Sequence, residues 1–339
     1  MQKKINIAIV GATGAVGQVM LKILAERQFP IANLYLLAST HSAGKIIDYQ
    51  GMEHVIIDLA DFDFSKVDIA LFSAGASVSA EFAPKAAQKG CIVIDNTSQF
   101  RYEDDIPLVI AEVNPDALTN YKNRNIIANP NCSTMQMLVA LKPIYDAVGI
   151  TRINVCTYQA VSGSGTAAIR ELRRQTQQWL VNEDPSCEVY TKPIAFNVLP
   201  HIDIFLENGY TKEEMKIVWE TKKIFADPHI KVNPTAVRVP VFYGHSEAVH
   251  LETKEKISVA EVKQLLKKAV GVKLIEDQCD YPTALIDASD ADPVFVGRIR
   301  QDISHVKGLD LWIVADNLRK GAALNTVQIA ELLLQRRYV

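Results

Sequence analysis

Cys132 is the residue whose position most directly predicts chemistry in this chain. It follows the short apolar run and turn-forming residues of "IIANPN" and precedes "STMQMLVAL", whose apolar residues recur at helical spacing. A thiol in the first turn of a helix lies at the positive end of the helix dipole, which favours thiolate, the reactive form of cysteine. The pattern therefore predicts a cysteine nucleophile at a strand-to-helix junction.

The other four cysteines provide a comparison for Cys132. Cys91 and Cys156 lie within apolar strand patterns, which predicts buried structural thiols, whereas Cys187 and Cys279 lie in polar, irregular stretches. The sequence has no CxxC pair and an odd number of cysteines, 5 in total. This argues against a disulfide framework and against a zinc site, so we expect no metal and a reducing, cytoplasmic setting.

A glycine-rich segment near the start predicts a nucleotide site. "GATGAVG" places glycines at Gly11, Gly14 and Gly17, directly after the apolar run "INIAIV" and before a pattern with a helical apolar face. Such glycines allow a tight turn and close approach of the backbone to a pyrophosphate, and the helix offers free N–H groups. The alternative is a tight strand-to-helix turn that binds no ligand.

The loop after the second predicted strand indicates which nucleotide binds. NAD sites usually carry an acidic residue there for the ribose 2′-hydroxyl, but "LLASTHSAGK" contains no acid, and the first one after it is Asp48. Hydroxyl and basic groups suit a 2′-phosphate, so we predict NADP, with a plain polar surface loop as the alternative. The segment carries Ser39, Thr40, His41, Ser42 and Lys45.

The elements around these residues predict an α/β fold. Apolar runs alternate with helical patterns over the first 130 or so residues, which indicates a Rossmann-type parallel sheet, and one predicted strand is "PLVIAEV", residues 107–113. Longer, alternating strands follow, and they indicate an α+β catalytic and dimerisation domain with a mixed sheet. The last helix is expected to return to the first domain. We therefore predict an NADP-binding domain at 1–132 and about 320–339, and a catalytic domain at 133–319.

Bulk properties exclude several classes of protein. The chain has 339 residues and a formal net charge of -3, which argues against nucleic-acid binding. No apolar run approaches the roughly 18 residues of a membrane span. The basic and then apolar start resembles a signal peptide, but it passes straight into the glycine loop, which favours a first strand.

Nine segments in one order carry a resemblance to a known family. They are "GATGAVG", "LFSAG", "DNTSQFR", "PNCST", "TYQAVSGSG", "EEMK", "RVPVFYGHSE", "VFVGRIR" and "LWIVADNLRKGAALN". Together they resemble the bacterial aspartate-β-semialdehyde dehydrogenases along essentially the whole chain. The resemblance implies an oxidoreductase that makes L-aspartate 4-semialdehyde from 4-aspartyl phosphate with NADPH and acts as a homo-oligomer, expected to be a dimer. It also implies a place in the biosynthesis of lysine, threonine, methionine and isoleucine.

The resemblance also implies a role for each matching residue. Cys132 is the nucleophile, His245 the general acid/base, and Gln159 orients the substrate. Arg238 binds the substrate's α-carboxylate and Glu213 its amino group. The residues implied in binding phosphate are Arg101, Asn131 and Lys216. The residues implied in binding NADP are Gly11, Thr13, Gly14, Ala15, Val16, Gly17, Ser39, His41, Ser42, Ser162, Gly163 and Asn317.

These roles agree with elementary chemistry, although the residues alone leave alternatives. Arginine suits two-point carboxylate recognition, and lysine serves as a point charge for phosphate. His245 and Arg238 are separated by an odd offset along a strand, so a turn or bulge at Gly244 is needed to bring them together. From the residues alone, three alternatives stay open: an ordinary surface residue for His245, a salt-bridging strand residue for Arg238, and surface charge for Glu213 with Lys216. Many relatives carry arginine where this chain has His41, which predicts a weaker hold on a 2′-phosphate because histidine is only partly charged at neutral pH.

Three other functions remain open at this point. The first is a thiol–nicotinamide dehydrogenase that acts on another acyl phosphate, as glyceraldehyde-phosphate and N-acetyl-glutamyl-phosphate enzymes do. The second is a nucleotide sensor that has lost catalysis, which is expected to lack Cys132 or His245. The third is a thiol hydrolase, which is expected not to bind NADPH.

Overall fold

The computed structural model describes residues 3–277 and 279–339. The chain divides into two compact units. The first comprises Met1–Asn131 and Ala322–Val339, and the second comprises Cys132–Gly321. The helices in chain order are α1 (Ala15–Glu26), α2 (Ala76–Gln88), α3 (Cys132–Val148), α4 (Thr166–Leu180), α5 (Lys212–Ile224), α6 (Val259–Lys268) and α7 (Leu324–Gln335).

The first unit is built on a parallel sheet, as the alternating pattern predicts. Its strands are β1 (Ile5–Val10), β2 (Ile31–Ala38), β3 (Ile46–Tyr49), β4 (Met52–Val55), β5 (Ile57–Asp58), β6 (Ile69–Phe72), β7 (Ile92–Asp95) and β8 (Ile126–Ala128). The parallel sheet has the order β5-β2-β1-β6-β7-β8, and β3 pairs with β4 as a separate antiparallel hairpin. Helix α7 packs against α1, and both contribute to the hydrophobic core of this unit. The parallel order places the loops after β1 and β2 side by side at the carboxyl edge of the sheet.

One predicted strand of this unit is wrong. Residues 107–113 form no strand, and Leu108 makes only an isolated bridge with Ala128. The backbone of this segment shares two hydrogen bonds with Ala128 of β8, and side chains satisfy further backbone groups. The Asn114 side chain donates to the Leu108 carbonyl at 2.9 Å, and the Asn325 side chain bonds backbone groups of the same segment. Two asparagines thus bond backbone groups that a longer strand ladder would otherwise pair.

The second unit contains the mixed sheet that was predicted. Its strands are β9 (Ile150–Gln159), β10 (Lys231–Arg238), β11 (His245–Thr253), β12 (Val272–Leu274), β13 (Val294–Gln301) and β14 (Gly308–Ala315). The order is β10-β9-β11-β14-β13-β12, with β10 parallel to β9, β12 parallel to β13 and the remaining pairs antiparallel. Helix α3 packs against β11, β13 and β14. The α/β fold class is therefore confirmed.

The other face of this sheet is open in the single chain. Along β9, Val155 and Thr157 are buried, whereas Cys156 and Tyr158 are exposed. The prediction that Cys156 is a buried structural thiol is therefore wrong, because alternation along the strand turns it to the open face. Cys91, by contrast, is buried as expected. None of the helices formed by the described residues is long and apolar enough to cross a membrane.

Candidate functional site

The thiol of Cys132 belongs to the first residue of α3. The side chain is partly buried. The backbone of Gly321 packs closely against it, since a Cβ added at residue 321 would lie 2.8 Å from the Cys132 Cβ and 3.6 Å from the Asn317 Cβ. Only glycine permits this close approach of the backbone to Cys132.

His245, the first residue of β11, is fully buried rather than a surface residue. Its Nδ1 accepts a hydrogen bond from the backbone N–H of Ala160 at 3.0 Å. Burial, with the nearby charge of Arg238 adding to it, lowers the pKa of His245 to about 3. The imidazole is therefore neutral at neutral pH, and the bond to Nδ1 places its proton on Nε2.

Arg238 ends β10 opposite Gln159 in the parallel register. Its Nη1 donates to the carbonyl of Ala160 at 2.7 Å, so the backbone groups of this one residue contact both Arg238 and His245. A Cβ added at Gly163 would meet Arg238 Nη1 at 3.0 Å and the His245 ring at 3.5 Å, which shows how closely these groups lie. The turn at Gly244, with φ of 82°, brings the two side chains together despite their odd offset.

Gln159, at the end of β9, lies between His245 and the ion pair of Glu213 and Lys216. Its Oε1 accepts from the Thr157 hydroxyl at 3.0 Å, and its Nε2 donates to Glu213 at 3.1 Å. The Gln159 Nε2 lies 3.5 Å from the His245 Nε2. Both of these nitrogens carry hydrogen, so neither accepts from the other. The Nε2–H of His245 is thus available to donate to a reacting group.

Glu213 and Lys216 form a buried pair in the first turns of α5 rather than surface charge. Lys216 Nζ donates to Glu213 at 2.9 Å and to Asp203 at 2.8 Å. Burial is the largest influence and favours neutral lysine, but the two carboxylates outweigh it and raise the pKa of Lys216. Lys216 is therefore charged and held by carboxylates, and Glu213 is held in turn against Gln159.

A cavity of about 480 Å³ opens beside this cluster in the second unit. Arg238 is only 4% exposed, and its Nε has no hydrogen-bond partner within the described part of the chain. Asp203 also contributes to the wall. The other polar residues of the wall are Ser164, Tyr190, Thr191, Lys192 and His201. The cavity therefore offers an arginine fork and further charged groups to a small polar ligand.

Ser162, Gly163 and Asn317, expected to contact the cofactor, also lie in the second unit. Asn317 Oδ1 accepts from the Ser162 hydroxyl at 3.1 Å and from the Gly244 backbone N–H at 2.9 Å. The bond from Gly244 holds the turn that precedes His245. Asn317 therefore has a structural role in addition to any contact with a cofactor.

In the first unit, the glycine loop has the geometry of a phosphate cradle. Gly11 adopts a φ of 90°, and a Cβ there would lie 2.7 Å from the Ser73 carbonyl oxygen. A Cβ at Gly17 would lie 2.3 Å from the Gly11 carbonyl oxygen. Gly14 precedes α1 and has no side chain to cap the free N–H groups at Ala15 and Val16. These N–H groups fit the pyrophosphate of a dinucleotide.

A second cavity, of about 460 Å³, adjoins this loop. Its wall includes Gly11, Thr13, Gly14, Ser39 and Thr40. These residues, with the free helix N-terminus, are what a nicotinamide dinucleotide requires on its adenosine side. His41 is exposed on the same loop, and Ser42 is buried with its N–H on the Ser39 carbonyl.

The wall of this cavity also contains an acid, Asp58, which lies outside the loop after β2. Asp58 accepts a hydrogen bond from the Thr40 hydroxyl at 2.6 Å. Hydrogen bonds from Thr40 and from the Ala60 N–H lower the pKa of Asp58, so the carboxylate is ionised at neutral pH. The expectation that no acid lies near the end of the second strand is therefore wrong. Asp58 is distant from that strand in the sequence, but β5 runs parallel to β2 and pairs Asp58 with Ala38.

Arg101 and Asn131 belong to the first unit, and both are buried. The Arg101 guanidinium donates to the Asn96 carbonyl at 2.7 Å. This bond fixes the guanidinium against the loop that follows β7.

Two family profiles match most of the chain. The family described as "Semialdehyde dehydrogenase, NAD binding domain" matches residues 6–121, and "Semialdehyde dehydrogenase, dimerisation domain" matches residues 141–320. A protein of Shewanella violacea named aspartate-semialdehyde dehydrogenase is 60% identical over 338 residues, with 100% of both chains covered. A protein of Legionella pneumophila with the same name is 60% identical over 341 residues, with 100% of this chain and 98% of the relative covered. The chain belongs to the aspartate-semialdehyde dehydrogenase family.

Solved structures of aspartate-semialdehyde dehydrogenases agree with this fold. Aspartate semialdehyde dehydrogenase II of Vibrio cholerae, solved in complex with ASA, has a TM-score of 0.97 and 58% identity, with 98% of this chain and 99% of that chain covered. A Candida albicans aspartate semialdehyde dehydrogenase solved with NADP has a TM-score of 0.80 and 25% identity, with 99% and 100% covered. This member of the family is an enzyme, an oxidoreductase that acts on an aldehyde. It has a nicotinamide-cofactor domain and a dimerisation domain.

In this aspartate-semialdehyde dehydrogenase fold, three residues that contribute to the two sites were not predicted from the sequence. Ala160 orients both His245 and Arg238 through its backbone, and Gly321 packs on Cys132. Backbone contacts leave no signature in residue type, so neither was detectable. Asp58 had a visible signal, as an acid at the end of a short strand, but its strand pairing was needed to place it near the cofactor loop.

Proposed function

We propose that this enzyme catalyses the NADPH-dependent reductive dephosphorylation of 4-aspartyl phosphate to L-aspartate 4-semialdehyde. The reaction belongs to the biosynthesis of lysine, by way of diaminopimelate, and of threonine, methionine and isoleucine. One combination of observations carries the proposal. Relatives 60% identical over the full chain bear the corresponding name, and Cys132 begins a helix in the unit that clusters His245, Gln159 and Arg238.

Cys132 is the nucleophile of the proposed reaction. Its thiolate attacks the acyl carbon of the substrate, a carbon–sulfur bond forms, and the carbon–oxygen bond to phosphate breaks with its electron pair leaving on phosphate. When bound, the reduced cofactor supplies the hydride that converts the resulting thioester to the aldehyde level. The thiohemiacetal on Cys132 then collapses, the carbon–sulfur bond breaks, and the thiolate and the aldehyde are released.

His245 acts as the acid of these steps through a hydrogen bond. As a neutral imidazole with its proton on Nε2, it donates that hydrogen bond to the oxygen that gains negative charge when the carbonyl carbon becomes tetrahedral. The proton stays on Nε2, and the negative charge leaves with phosphate in the first step and with the Cys132 thiolate when the alkoxide of the thiohemiacetal collapses. The bond from Ala160 keeps Nδ1 occupied throughout, so a single ring nitrogen serves both steps.

The remaining polar residues bind and orient the substrate. Arg238 binds the α-carboxylate through its guanidinium fork, and the buried Glu213 binds the amino group. Gln159, held by Thr157 and Glu213, orients the acyl group. We assign phosphate binding to Arg101, Asn131 and Lys216.

We assign NADP to the glycine loop and the loop after β2. The N–H groups at the start of α1 bind the pyrophosphate, and Gly11, Thr13, Gly14 and Ser39 line the cavity for the adenosine half. His41 and Ser42 are assigned to the 2′-phosphate side. Ser162, Gly163 and Asn317 are assigned to the nicotinamide half.

The proposed assembly is a homodimer formed through the open face of the mixed sheet. Exposed Cys156 and Tyr158 lie on this face, and the matching profile is that of a dimerisation domain. We place the enzyme in the cytoplasm, a reducing compartment that keeps its free cysteines, Cys132 among them, as thiols. Light scattering on the purified protein tests the dimer, and a monomer would contradict it.

The function is tested by following NADPH formation when the purified protein receives aspartate semialdehyde, NADP and phosphate. Turnover that requires all three supports the proposal. Glyceraldehyde 3-phosphate and N-acetyl-glutamate semialdehyde serve as competing substrates in the same assay. Preference for either of these substrates would indicate a dehydrogenase for another acyl phosphate. Hydrolysis of a substrate by the protein without any binding of NADPH would indicate a thiol hydrolase.

A further inference from the structure

Glu247 is a buried carboxyl group that the proposed mechanism does not use. It lies on β11 two residues after His245 and is 0% exposed. Neither carboxyl oxygen has a hydrogen-bond partner that meets ordinary geometry within the described residues. Burial raises the pKa of Glu247 well above its ordinary value, and the Gln136 amide opposes this only in part. An ionised carboxylate in this place would be very costly, so the group is held as the neutral acid.

Gln136 is the side chain that faces this acid. It lies on α3, four residues after Cys132, and is also fully buried. Its Nε2 donates to the backbone carbonyl of His245 at 3.4 Å, while its Oε1 has no partner among the described residues. A neutral carboxylic acid has one O–H to donate, and Gln136 Oε1 is an acceptor that needs one.

The elements that carry these two side chains are the ones that carry the reacting groups. Residues two apart on a strand point to the same face, so Glu247 and His245 share a face of β11, and α3 packs against β11. On α3, Gln136 lies one turn below Cys132. A bond between Glu247 and Gln136 therefore ties the start of the nucleophile's helix to the start of the strand that carries the acid.

We propose that Glu247 is a positioning residue whose protonated carboxyl group donates to Gln136, which in turn holds the His245 carbonyl and so fixes His245 relative to Cys132. The role rests on the proposed function for its kinetic consequence but not for its structural one. It requires a neutral hydrogen-bond donor at residue 247 and no charge. Glutamine at this position meets the requirement, and a side chain of similar volume without polar atoms does not.

The test compares Glu247→Gln, Glu247→Met, Gln136→Met and the double variant Gln136→Met/Glu247→Met in the full-length protein. Three measurements are made on each: steady-state kinetics with aspartate semialdehyde, which give kcat and KM, the pH dependence of Cys132 alkylation by iodoacetamide, and the midpoint of thermal unfolding. Peptide mapping separates Cys132 from the exposed Cys156, Cys187 and Cys279.

The network predicts a pattern that simple loss of packing does not produce. Glu247→Met is expected to lower kcat by about tenfold, with KM within about twofold of wild type, and to shift the pH profile of Cys132 alkylation. Glu247→Gln is expected to restore kcat and the profile to within about threefold of wild type. The double variant is expected to be no worse than the poorer single variant, since both remove one bond.

Two outcomes would overturn the inference. If Glu247→Met lowers the unfolding midpoint but leaves kcat and the alkylation profile of wild type, Glu247 only fills the core. If Glu247→Gln is as impaired as Glu247→Met, the position needs a charge and not a donor. Failure of the wild type to turn over aspartate semialdehyde would refute the proposed function alone, because the alkylation profiles and unfolding midpoints would still test the network.

Discussion

The backbone N–H of Ala160 donates a hydrogen bond to Nδ1 of His245 over 3.0 Å. A ring nitrogen that accepts carries no proton, so the neutral imidazole holds its proton on Nε2, the nitrogen that faces Gln159. The following peptide unit is held as well, because Arg238, which pairs with Gln159 in the sheet register, donates to the Ala160 carbonyl. The sheet register thus places the Ala160 backbone that fixes the tautomer of His245.

A first prediction concerns stability and pH. Burial and then Arg238 lower the pKa of His245 to about 3. In the unfolded chain the His245 imidazole therefore binds a proton near pH 6.5, whereas in the folded chain it binds one only near pH 3. Stability from this group is complete above about pH 6.5 and is lost as pH falls, by about 2 kcal/mol between pH 7.5 and 5.

Urea unfolding at one fixed protein concentration checks this value. His245→Asn is expected to remove that part of the pH dependence, and His305→Asn, an exposed control, is expected to retain it. Equal pH slopes for wild type and His245→Asn would show that His245 is not held neutral in the fold.

A second prediction distinguishes the cysteines. Cys132→Ser is expected to lower kcat by at least about a thousandfold while cofactor binding and folding persist, because serine offers no comparable thiolate. Cys91→Ser places a hydroxyl in a fully buried site and is expected to lower stability by about 1–3 kcal/mol. Cys187→Ser, at an exposed position outside the sheet, is the matched exposed control and is expected to retain kcat.

The measurements are steady-state kinetics, cofactor titration and denaturant unfolding of the three variants. Substantial activity in Cys132→Ser would rule out the covalent route. Loss of activity in Cys91→Ser or Cys187→Ser with intact folding would show that another cysteine reacts.

The sequence predicted the fold well where the apolar pattern alone decides the structure. Strand β1 is buried and continuous, and it came out as expected. Residues 107–113 are also apolar but form no strand, since the neighbouring Asn114 and the distant Asn325 bond part of their backbone. Asn325 lies more than 200 residues further along the chain, and no local pattern announces such a contact.

The candidate site was predictable only as far as residue types carry information. Cys132, His245 and Arg238 have side chains of types that are common in active sites. Their individual roles came from the resemblance to aspartate-β-semialdehyde dehydrogenases. Cys156 looked like a core residue because an apolar run does not say which face of a strand is covered. Asp58 was missed because nearness to Thr40 depends on strand pairing and not on sequence distance.

A third prediction tests the guanidinium fork. Arg238→Lys keeps the charge but loses two-point carboxylate binding and the bond from Nη1 to Ala160. Because Ala160 also sets His245, kcat is expected to fall along with affinity, and kcat/KM by about a hundredfold or more. Steady-state kinetics measure both. Lys192→Met removes a cation from the wall of the same cavity and is expected to have a far smaller effect.

Near-normal kinetics in Arg238→Lys would assign the carboxylate to another residue. A larger loss in Lys192→Met than in Arg238→Lys would assign it to the other cation of the wall.

The last prediction concerns the cofactor, where Asp58 and His41 oppose each other. Asp58 is ionised and lines the cavity beside Thr40, so it repels a 2′-phosphate, while His41 on the adjacent exposed loop attracts one when it is charged. Asp58→Asn keeps an oxygen acceptor for the Ala60 N–H and removes the charge. NADP affinity is expected to rise by about two- to fivefold, with NAD affinity nearly constant.

Binding titrations of NADP and NAD between pH 8 and 6 are the measurement, on wild type, Asp58→Asn, His41→Arg and His41→Ala. His41→Arg is expected to bind NADP at least as tightly as wild type at pH 8, because arginine is always charged. In wild type the preference for NADP over NAD should grow as pH falls, beyond the trend that remains in His41→Ala and that reflects the 2′-phosphate itself. Identical trends in all four proteins would show that neither residue meets the phosphate. A wild-type preference for NAD would mean that Asp58 instead binds the ribose hydroxyls, as the acid of an NAD site does.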